Sequence, residues 1–189
     1  GAVDSDGDVW ATLLTGGPGF IQSPDPRQLA LTLPMDPSDP ATNGFQQSDA
    51  IGILGIELHS RRRNRMNGAI GAVSENGFTI EVEHSFGNCP QYIQTRNWKM
   101  SAPNERIAPI AEQFTSLDDD TRAAIRAADT FFVSSYIDLE DGRRQVDASH
   151  RGGKAGFVHI DEDGMLTIPD FAGNLHFNTL GNFLRNPRA

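Results

Sequence analysis

Short apolar runs separated by turn residues occupy the first third of the chain and predict β-strands. Residues 9–14 form one such run, which ends at the Gly- and Pro-rich segment 16–19. In residues 28–33 three leucines recur at every second position, as on one face of a strand. Residues 50–58 are nearly all apolar and predict a buried strand. The three prolines within residues 34–40 exclude a helix or a central strand, so we expect a loop there.

The strongest local signal is a β-hairpin around Asn76 and Gly77. Residues 68–73 precede this pair, and residues 78–86 follow it with alternating faces, as in a strand. An Asn-Gly pair tolerates the positive φ angles that tight hairpin turns require. The pattern also predicts that one face of the return strand is formed by Phe78, Ile80, Val82 and His84.

One helix is expected in the middle of the chain, followed by further strands. Residues 116–119 can cap a helix, and residues 121–128 are strong helix formers. Helix capping explains Asp118–Asp120 better than a metal site, because adjacent carboxylates splay apart on a helix. The acidic segment 161–164 favours a hairpin turn, since it lacks the ligand spacing of a calcium loop. The later strands are expected at residues 131–136, 145–149, 156–160 and 165–168.

A weak internal repeat suggests two related structural units. A shift of 137 positions aligns residues 19–21 with 156–158 and residues 29–31 with 166–168. The first copy continues into the apolar strand near residue 52, whereas the sequence ends at Ala189, where the second copy is due to continue. We therefore expect an incomplete second unit that belongs to a longer polypeptide.

Composition narrows the classes of function. The 189 residues carry 16 basic and 25 acidic side chains, a net charge of −9, which disfavours nucleic acid and anionic membranes as partners. Of the basic residues 14 are Arg, which suits planar recognition of phosphate or carboxylate. No apolar run of membrane-spanning length and no signal peptide is visible, and the single cysteine excludes an internal disulfide. These features predict a cytoplasmic protein.

The segment Ser149-His150-Arg151-Gly152-Gly153-Lys154 is a candidate anion-binding site. The two glycines allow backbone N–H groups to approach an anion, and the Arg and Lys side chains neutralise it. The glycine spacing differs from that of a Walker loop, and no nucleophile elbow supports a serine hydrolase. A solvated hairpin turn is the structural alternative and stays open.

Two further segments are candidates for ligand contact. If residues 61–65 form a strand, Arg61, Arg63 and Arg65 share one face, which suits either an anionic ligand or carboxylates of the same protein. Residues 87–92 follow the hairpin directly and are expected to present backbone and amide groups to a ligand. Cys89 lies in this segment, but no neighbouring base marks it as a nucleophile.

Several motifs together resemble flavin-nucleotide-binding proteins of the pyridoxamine 5'-phosphate oxidase-like superfamily. They are SHRGGKAGFV, LTIPDFAGN and FNTLGNFLRNPRA in the second half, and RRRNRMNG and SFGNCPQYIQTR in the first. The resemblance implies a mainly β protein with the FMN-binding split-barrel fold, an antiparallel Greek-key barrel. With the repeat, it implies a first barrel unit over residues 1–100, a helical connector over 101–129 and a truncated second unit over 130–189.

The resemblance also implies the cofactor and its contacts. FMN phosphate is expected at residues 149–154, namely Ser149, His150, Arg151, Gly152, Gly153 and Lys154. The start of a later helix, at Asn178, Thr179 and Asn182, is also expected at the phosphate. True oxidases have basic residues at that helix start, whereas this chain has Asn and Thr. The flavin ring is expected near Asn88, Gln91 and Tyr92.

The implied function is that of an FMN-dependent oxidoreductase or its flavin-binding domain. The alternative is a non-catalytic flavin-binding or electron-transfer module. A reductase domain or NAD(P)H is the expected electron donor, and a homodimer is the expected assembly. Neither a metal ion nor a catalytic side chain is assigned.

Overall fold

A computed structural model describes residues 1–99, 112, 114–173 and 177–188. In it a short N-terminal pair, β1 (Ala2–Val3) and β2 (Val9–Trp10), precedes a five-stranded antiparallel sheet. The sheet consists of β3 (Ile21–Asp25), β4 (Gln28–Thr32), β5 (Ala50–Glu57), β6 (Arg62–Ser74) and β7 (Gly77–Gly87), in the order β3-β4-β7-β6-β5. All the strands of the first half after β2 therefore belong to one sheet.

The predicted hairpin is confirmed as β6 and β7, and both strands are longer than the alternation predicted. Ile70 pairs with Ile80, and Ser74 pairs with Gly77 at the turn. Gly77 has φ +134°, and a Cβ atom there would lie 1.9 Å from the carbonyl oxygen of Leu31 on β4. The glycine is therefore required both by the turn and by the approach of the neighbouring strand.

The apolar face of the sheet forms the core. Ile51, Ile70 and Ile80 are at most 2% exposed, and the rings of Phe45 and Phe78 pack 5.1 Å apart. Burial of each such side chain contributes about 1.5–3 kcal/mol to folding. The predicted loop after β4 leads into a short 3₁₀ helix, Pro40–Gly44, whose first turn is capped by Asp39.

The described residues of the second half form two helices and two further strand pairs. Helix α1 (Asp119–Ala127) is capped by Asp118, which accepts a hydrogen bond from the Thr121 amide at 2.7 Å. The cap therefore lies two residues after Ser116, the earliest predicted cap position. The other elements are β8 (Thr130–Asp138), β9 (Arg144–Gly152), β10 (His159–Ile160), β11 (Leu166–Thr167) and α2 (Asn178–Arg185). Residues 101–111 and 113 of the predicted connector lie outside the described residues.

Strand boundaries differ from the predicted ones in two informative places. The strand expected at residues 9–14 ends at Trp10, and residues 11–16 have no regular structure. The strand expected at residues 145–149 instead continues to Gly152, so residues 149–152 lie within β9 and not in a turn. This second difference decides where the candidate site lies.

The two halves pack together through β5 and β9. A Cβ atom at Gly52 on β5 would lie 2.7 Å from the carbonyl oxygen of Val146 on β9. Pairs β8–β9 and β10–β11 are separate antiparallel sheets, and the described strands do not close into a barrel. The fold is thus mainly antiparallel β, as predicted, and the split barrel stays a prediction. No helix among the described residues is long and apolar enough to span a membrane.

Candidate functional site

A cavity of about 190 Å³ lies where β6, the loop after β7, β9 and the start of α2 meet. Eight of the predicted site residues line it, although they come from three separate segments of the chain. They are Asn88, Gln91, Tyr92, Ser149, His150, Arg151, Gly152 and Thr179. The structure therefore brings together the segment after β7, the SHRG sequence and the helix start.

The other four predicted site residues lie outside this lining. Lys154 is exposed in the turn after β9, and Asn178 is the half-buried first residue of α2. Gly153 accepts a hydrogen bond from the Gln94 side chain at 2.9 Å. Asn182 donates a hydrogen bond to the Ser135 hydroxyl at 3.0 Å and so joins α2 to β8. The solvated-turn interpretation fits Lys154, but not the four residues before Gly153.

A buried polar network forms one wall of the cavity. The NH1 group of Arg65 lies 3.2 and 3.0 Å from the two carboxylate oxygens of Asp147, and its NH2 donates to the Ser149 hydroxyl at 2.6 Å. Thr179 donates to the same carboxylate at 2.9 Å, which fixes the first turn of α2. Burial lowers the pKa of Arg65, although Asp147 opposes that shift. Ser149 and Thr179 thus orient this network.

Arg63 connects three segments around the cavity without a carboxylate partner among the described residues. Its guanidinium donates to the backbone carbonyls of Cys89 at 3.1 Å, Gln91 at 3.2 Å and His150 at 3.4 Å. Burial and the nearby Arg65 lower its pKa. These bonds hold the loop after β7 against β9 and leave the positive charge of Arg63 uncompensated.

Only part of the predicted arginine face lies on a strand. Arg63 and Arg65 both belong to β6 and line the cavity. Arg61 precedes β6 with φ +56°, and its guanidinium lies 3.4 Å from the carbonyl oxygen of Pro90. The expectation that three arginines share one face is therefore wrong for Arg61, because the tight turn before β6 ends the alternation there.

His150 is buried beside Arg63. Its Nδ1 lies 2.9 Å from NH1 of Arg63, and its ring packs edge-on against Phe132 at a centroid distance of 5.6 Å. Its Nε2 is buried and has no hydrogen-bond partner among the described residues. Burial, reinforced by Arg63, lowers the pKa of His150 from 6.5 to about 4, so the side chain is uncharged at neutral pH.

Arg151 and an aromatic wall line another part of the cavity. NH1 of Arg151 lies 2.9 Å from a carboxylate oxygen of Asp170, and the Arg151 side chain is about one-quarter exposed. The rings of Tyr92 and Phe171 lie 5.2 Å apart, and Phe157 lies 6.4 Å from Phe171. These three aromatic residues line the cavity together with Phe177. The cavity therefore combines an apolar, partly aromatic wall with a set of guanidinium groups.

Sequence reasoning missed Asp147, Asp170 and the phenylalanines of the aromatic wall, of which only Tyr92 was predicted. Asp147 stands two positions before Ser149 on a strand, so the period-2 rule places both side chains on one face. Phe157 and Phe171 lie inside the motifs that carried the resemblance, but an isolated aromatic residue is common in any core. No local signal identifies Asp170 as the partner of Arg151.

Arg63, Arg65 and Arg151 bring three positive charges to the cavity, and Asp147 and Asp170 supply two negative ones. The site therefore has a formal excess of one positive charge in a protein of net charge −9.

No group of three or more metal-ligating side chains occurs in the described part of the chain. Comparison with protein-family models, curated proteins and solved structures finds no match.

Proposed function

We propose that this protein binds FMN, with the phosphate at the cationic side of the cavity and the flavin ring against the aromatic side. The observation that carries the proposal is the meeting of Arg63, Arg65 and Arg151 with an aromatic wall around one cavity. A phosphate of about two negative charges complements the guanidinium groups, and a planar ring system complements the aromatic side chains. The resemblance of the SHRGGK and NTLGN motifs points to the same ligand.

Arg151 is the phosphate ligand that the contacts favour. The guanidinium groups of Arg63 and Arg65 are engaged by carbonyl groups, a hydroxyl and Asp147, whereas Arg151 is partly exposed and paired with a half-exposed carboxylate. If a phosphate replaced the Asp170 carboxylate as the partner of Arg151, the guanidinium group would still make one charge-assisted contact. Lys154 is assigned a minor role, because it is exposed outside the lining.

Buried polar atoms without a hydrogen-bond partner among the described residues also favour a polar ligand. Nε of Arg65, Oδ1 of Asn88 and Nε2 of His150 are buried without partners among the described residues, and all three residues line the cavity. Such groups are costly unless a ligand or water satisfies them. The volume of 190 Å³ is below the roughly 300–1,000 Å³ typical of small-molecule sites, so part of FMN would extend beyond the cavity. A second copy of the chain is the proposed cover for that part.

Bound FMN would supply one- and two-electron redox chemistry, and the protein would supply binding, orientation and hydrogen bonds. We propose an FMN-dependent oxidoreductase or its flavin-binding domain, with a reductase domain or NAD(P)H as the electron donor. One observation favours the alternative, a non-catalytic flavin-binding or electron-transfer module. The low pKa of His150, about 4, makes this residue a weak general base at neutral pH.

The decisive experiment is titration of the purified protein with FMN, riboflavin and inorganic phosphate. Binding of the two flavins is measured by their absorption and fluorescence, and binding of phosphate is measured by calorimetry. We expect saturable FMN binding with a shifted flavin spectrum and weaker binding of riboflavin. Absence of FMN binding would overturn the proposal, whereas binding of phosphate alone would reduce the site to a general anion site.

Reduction assays separate the two versions of the function. The FMN complex is mixed with NADH or NADPH, with and without a flavin reductase, and the loss of flavin absorbance is followed. Turnover of an added electron acceptor supports the oxidoreductase. Stable binding without turnover under all these conditions supports the non-catalytic module.

A further inference from the structure

His150 offers a buried hydrogen-bond donor that nothing in the described structure uses. A guanidinium group only donates hydrogen bonds, so the contact with NH1 of Arg63 requires Nδ1 of His150 to act as the acceptor. In an uncharged imidazole the proton then resides on Nε2. His150 is 4% exposed, and its Nε2 has no partner among the described residues. Arg63 thus selects the tautomer that presents an N–H group at Nε2.

We propose that the Nε2–H group of His150 donates a hydrogen bond to an uncharged acceptor, a carbonyl oxygen or ring nitrogen, on the flavin ring of bound FMN. This inference rests on the proposed function. It assigns the residue a place in ring recognition and removes it from the set of phosphate ligands that the SHRGGK motif implied.

Two observations favour the ring over the phosphate. Through Arg63, His150 is fixed to the loop that carries Gln91 and Tyr92, and Tyr92 belongs to the aromatic wall. An uncharged donor also matches an uncharged carbonyl or ring nitrogen, whereas the phosphate is matched by the guanidinium of Arg151.

Two substitutions separate ring recognition from support of Arg63. His150→Asn keeps an acceptor oxygen near the position of Nδ1 and removes the donor at Nε2. His150→Gln places its terminal amide near Nε2, where its NH₂ group can donate. We expect His150→Asn to weaken FMN and riboflavin binding equally, each about 3- to 30-fold, and His150→Gln to stay within about 3-fold of the wild type. His159→Gln, at an exposed position of β10, is the matched control and should leave both affinities unchanged.

NMR of protein labelled with ¹⁵N-histidine provides a readout that a purely structural role would not move. In the free protein the His150 signals should identify a neutral ring protonated at Nε2. Addition of FMN or riboflavin should shift the Nε2 signal strongly and leave the protonation pattern unchanged. Inorganic phosphate, which lacks the ring, should not produce this shift.

The possible results distinguish this inference from the proposed function. If the wild type does not bind FMN, both are wrong. FMN binding with an unchanged Nε2 signal overturns the inference alone. A loss confined to FMN in His150→Asn reassigns His150 to the phosphate and also overturns it. Full affinity in His150→Asn together with a loss in His150→Gln shows that the residue only supports Arg63.

Discussion

Arg65 on β6 and Asp147 on β9 form a buried ion pair that joins the five-stranded sheet to the second half of the chain. NH1 of Arg65 lies 3.0 Å from one carboxylate oxygen of Asp147, and the two side chains are 10% and 4% exposed. Thr179 donates to the same carboxylate, so the pair also holds α2. The wall of the candidate site and the packing of the two halves therefore depend on the same contact.

Removing one partner of this pair should destabilise the protein strongly. Asp147→Asn leaves the Arg65 charge buried without a counter-charge, and we expect a loss of about 3–5 kcal/mol in the free energy of unfolding. Asp141→Asn is the matched control, because its ion pair with Arg143 is exposed and screened by solvent, so its removal should change the free energy of unfolding little. Chemical denaturation of the three proteins measures both values. Equal, small losses in the two variants would show that the Arg65–Asp147 pair does not hold the halves together.

Replacing Arg151 should weaken FMN binding more than riboflavin binding. We expect Arg151→Ala to weaken FMN binding about 10- to 100-fold, because one charge-assisted contact with the phosphate is lost. Riboflavin has the same ring without the phosphate, so its affinity should change little. Lys154→Ala should leave both affinities within about 3-fold, since Lys154 is exposed outside the cavity lining. Fluorescence titration with both flavins tests this, and equal losses in Arg151→Ala would contradict a phosphate contact.

Replacing Asp170 should have the opposite effect on FMN. Its carboxylate pairs with Arg151 at 2.9 Å and competes with a phosphate for the same guanidinium. Asp170→Asn removes that competition, and we expect FMN affinity to rise by up to about 5-fold, the size of a partly exposed ion pair. The same titration measures the change. A decrease in FMN affinity would mean that Asp170 positions Arg151 for binding.

The low pKa of His150 predicts a pH-dependent stability. The folded-state pKa of about 4 lies below the ordinary value of 6.5, because burial and the charges of Arg63 and Arg151 disfavour the protonated ring. Between these two pH values the unfolded chain binds the proton more readily, so stability falls as pH decreases from 6.5 to 4. The loss from this group is about 3 kcal/mol at most.

The pH effect is isolated by comparison with His150→Gln, which cannot titrate. We expect the free energy of unfolding of the wild type to fall more steeply than that of the variant between pH 6.5 and 4, while the two curves run parallel from pH 7 to 8. Urea denaturation at several pH values provides the data. Parallel curves over the whole range would show that His150 is not held uncharged by the fold.

Two glycines of β5 provide a further comparison. A Cβ atom at Gly52 would lie 2.7 Å from the carbonyl oxygen of Val146, whereas at Gly55 the nearest atom is 4.0 Å away, on Asn64. We expect Gly52→Ala to destabilise the protein by about 1–3 kcal/mol, because rigid backbone atoms must move apart. Gly55→Ala should change stability by less than about 1 kcal/mol. Thermal unfolding measures both, and similar values would contradict the close contact of β5 with β9.

The sequence predicts local structure better than it predicts the site. Period-2 alternation identifies the hairpin of β6 and β7, because each strand buries one face. The Gly152-Gly153 pair suggested a turn, yet Gly152 ends a strand, where a Cβ atom would lie 2.2 Å from the carbonyl oxygen of Tyr92. This close approach is a tertiary contact between distant segments, so no local sequence pattern predicts it. Arg63 and His150 are 87 positions apart, so no local sequence spacing predicts their contact.

The sequence separation of Arg65 and Asp147 also constrains how the chain folds. The five strands from β3 to β7 are joined mostly by local pairing, which forms rapidly because little loop entropy is lost. Asp147 lies 82 positions after Arg65, so we expect the first sheet to be able to form during synthesis before its partner strand has left the ribosome. Until β9 docks, Arg65 and the surface at Gly52 would then remain in water. Docking of β9 buries that cation and the backbone at Gly52 together, and it brings His150 and Arg151 to the cavity.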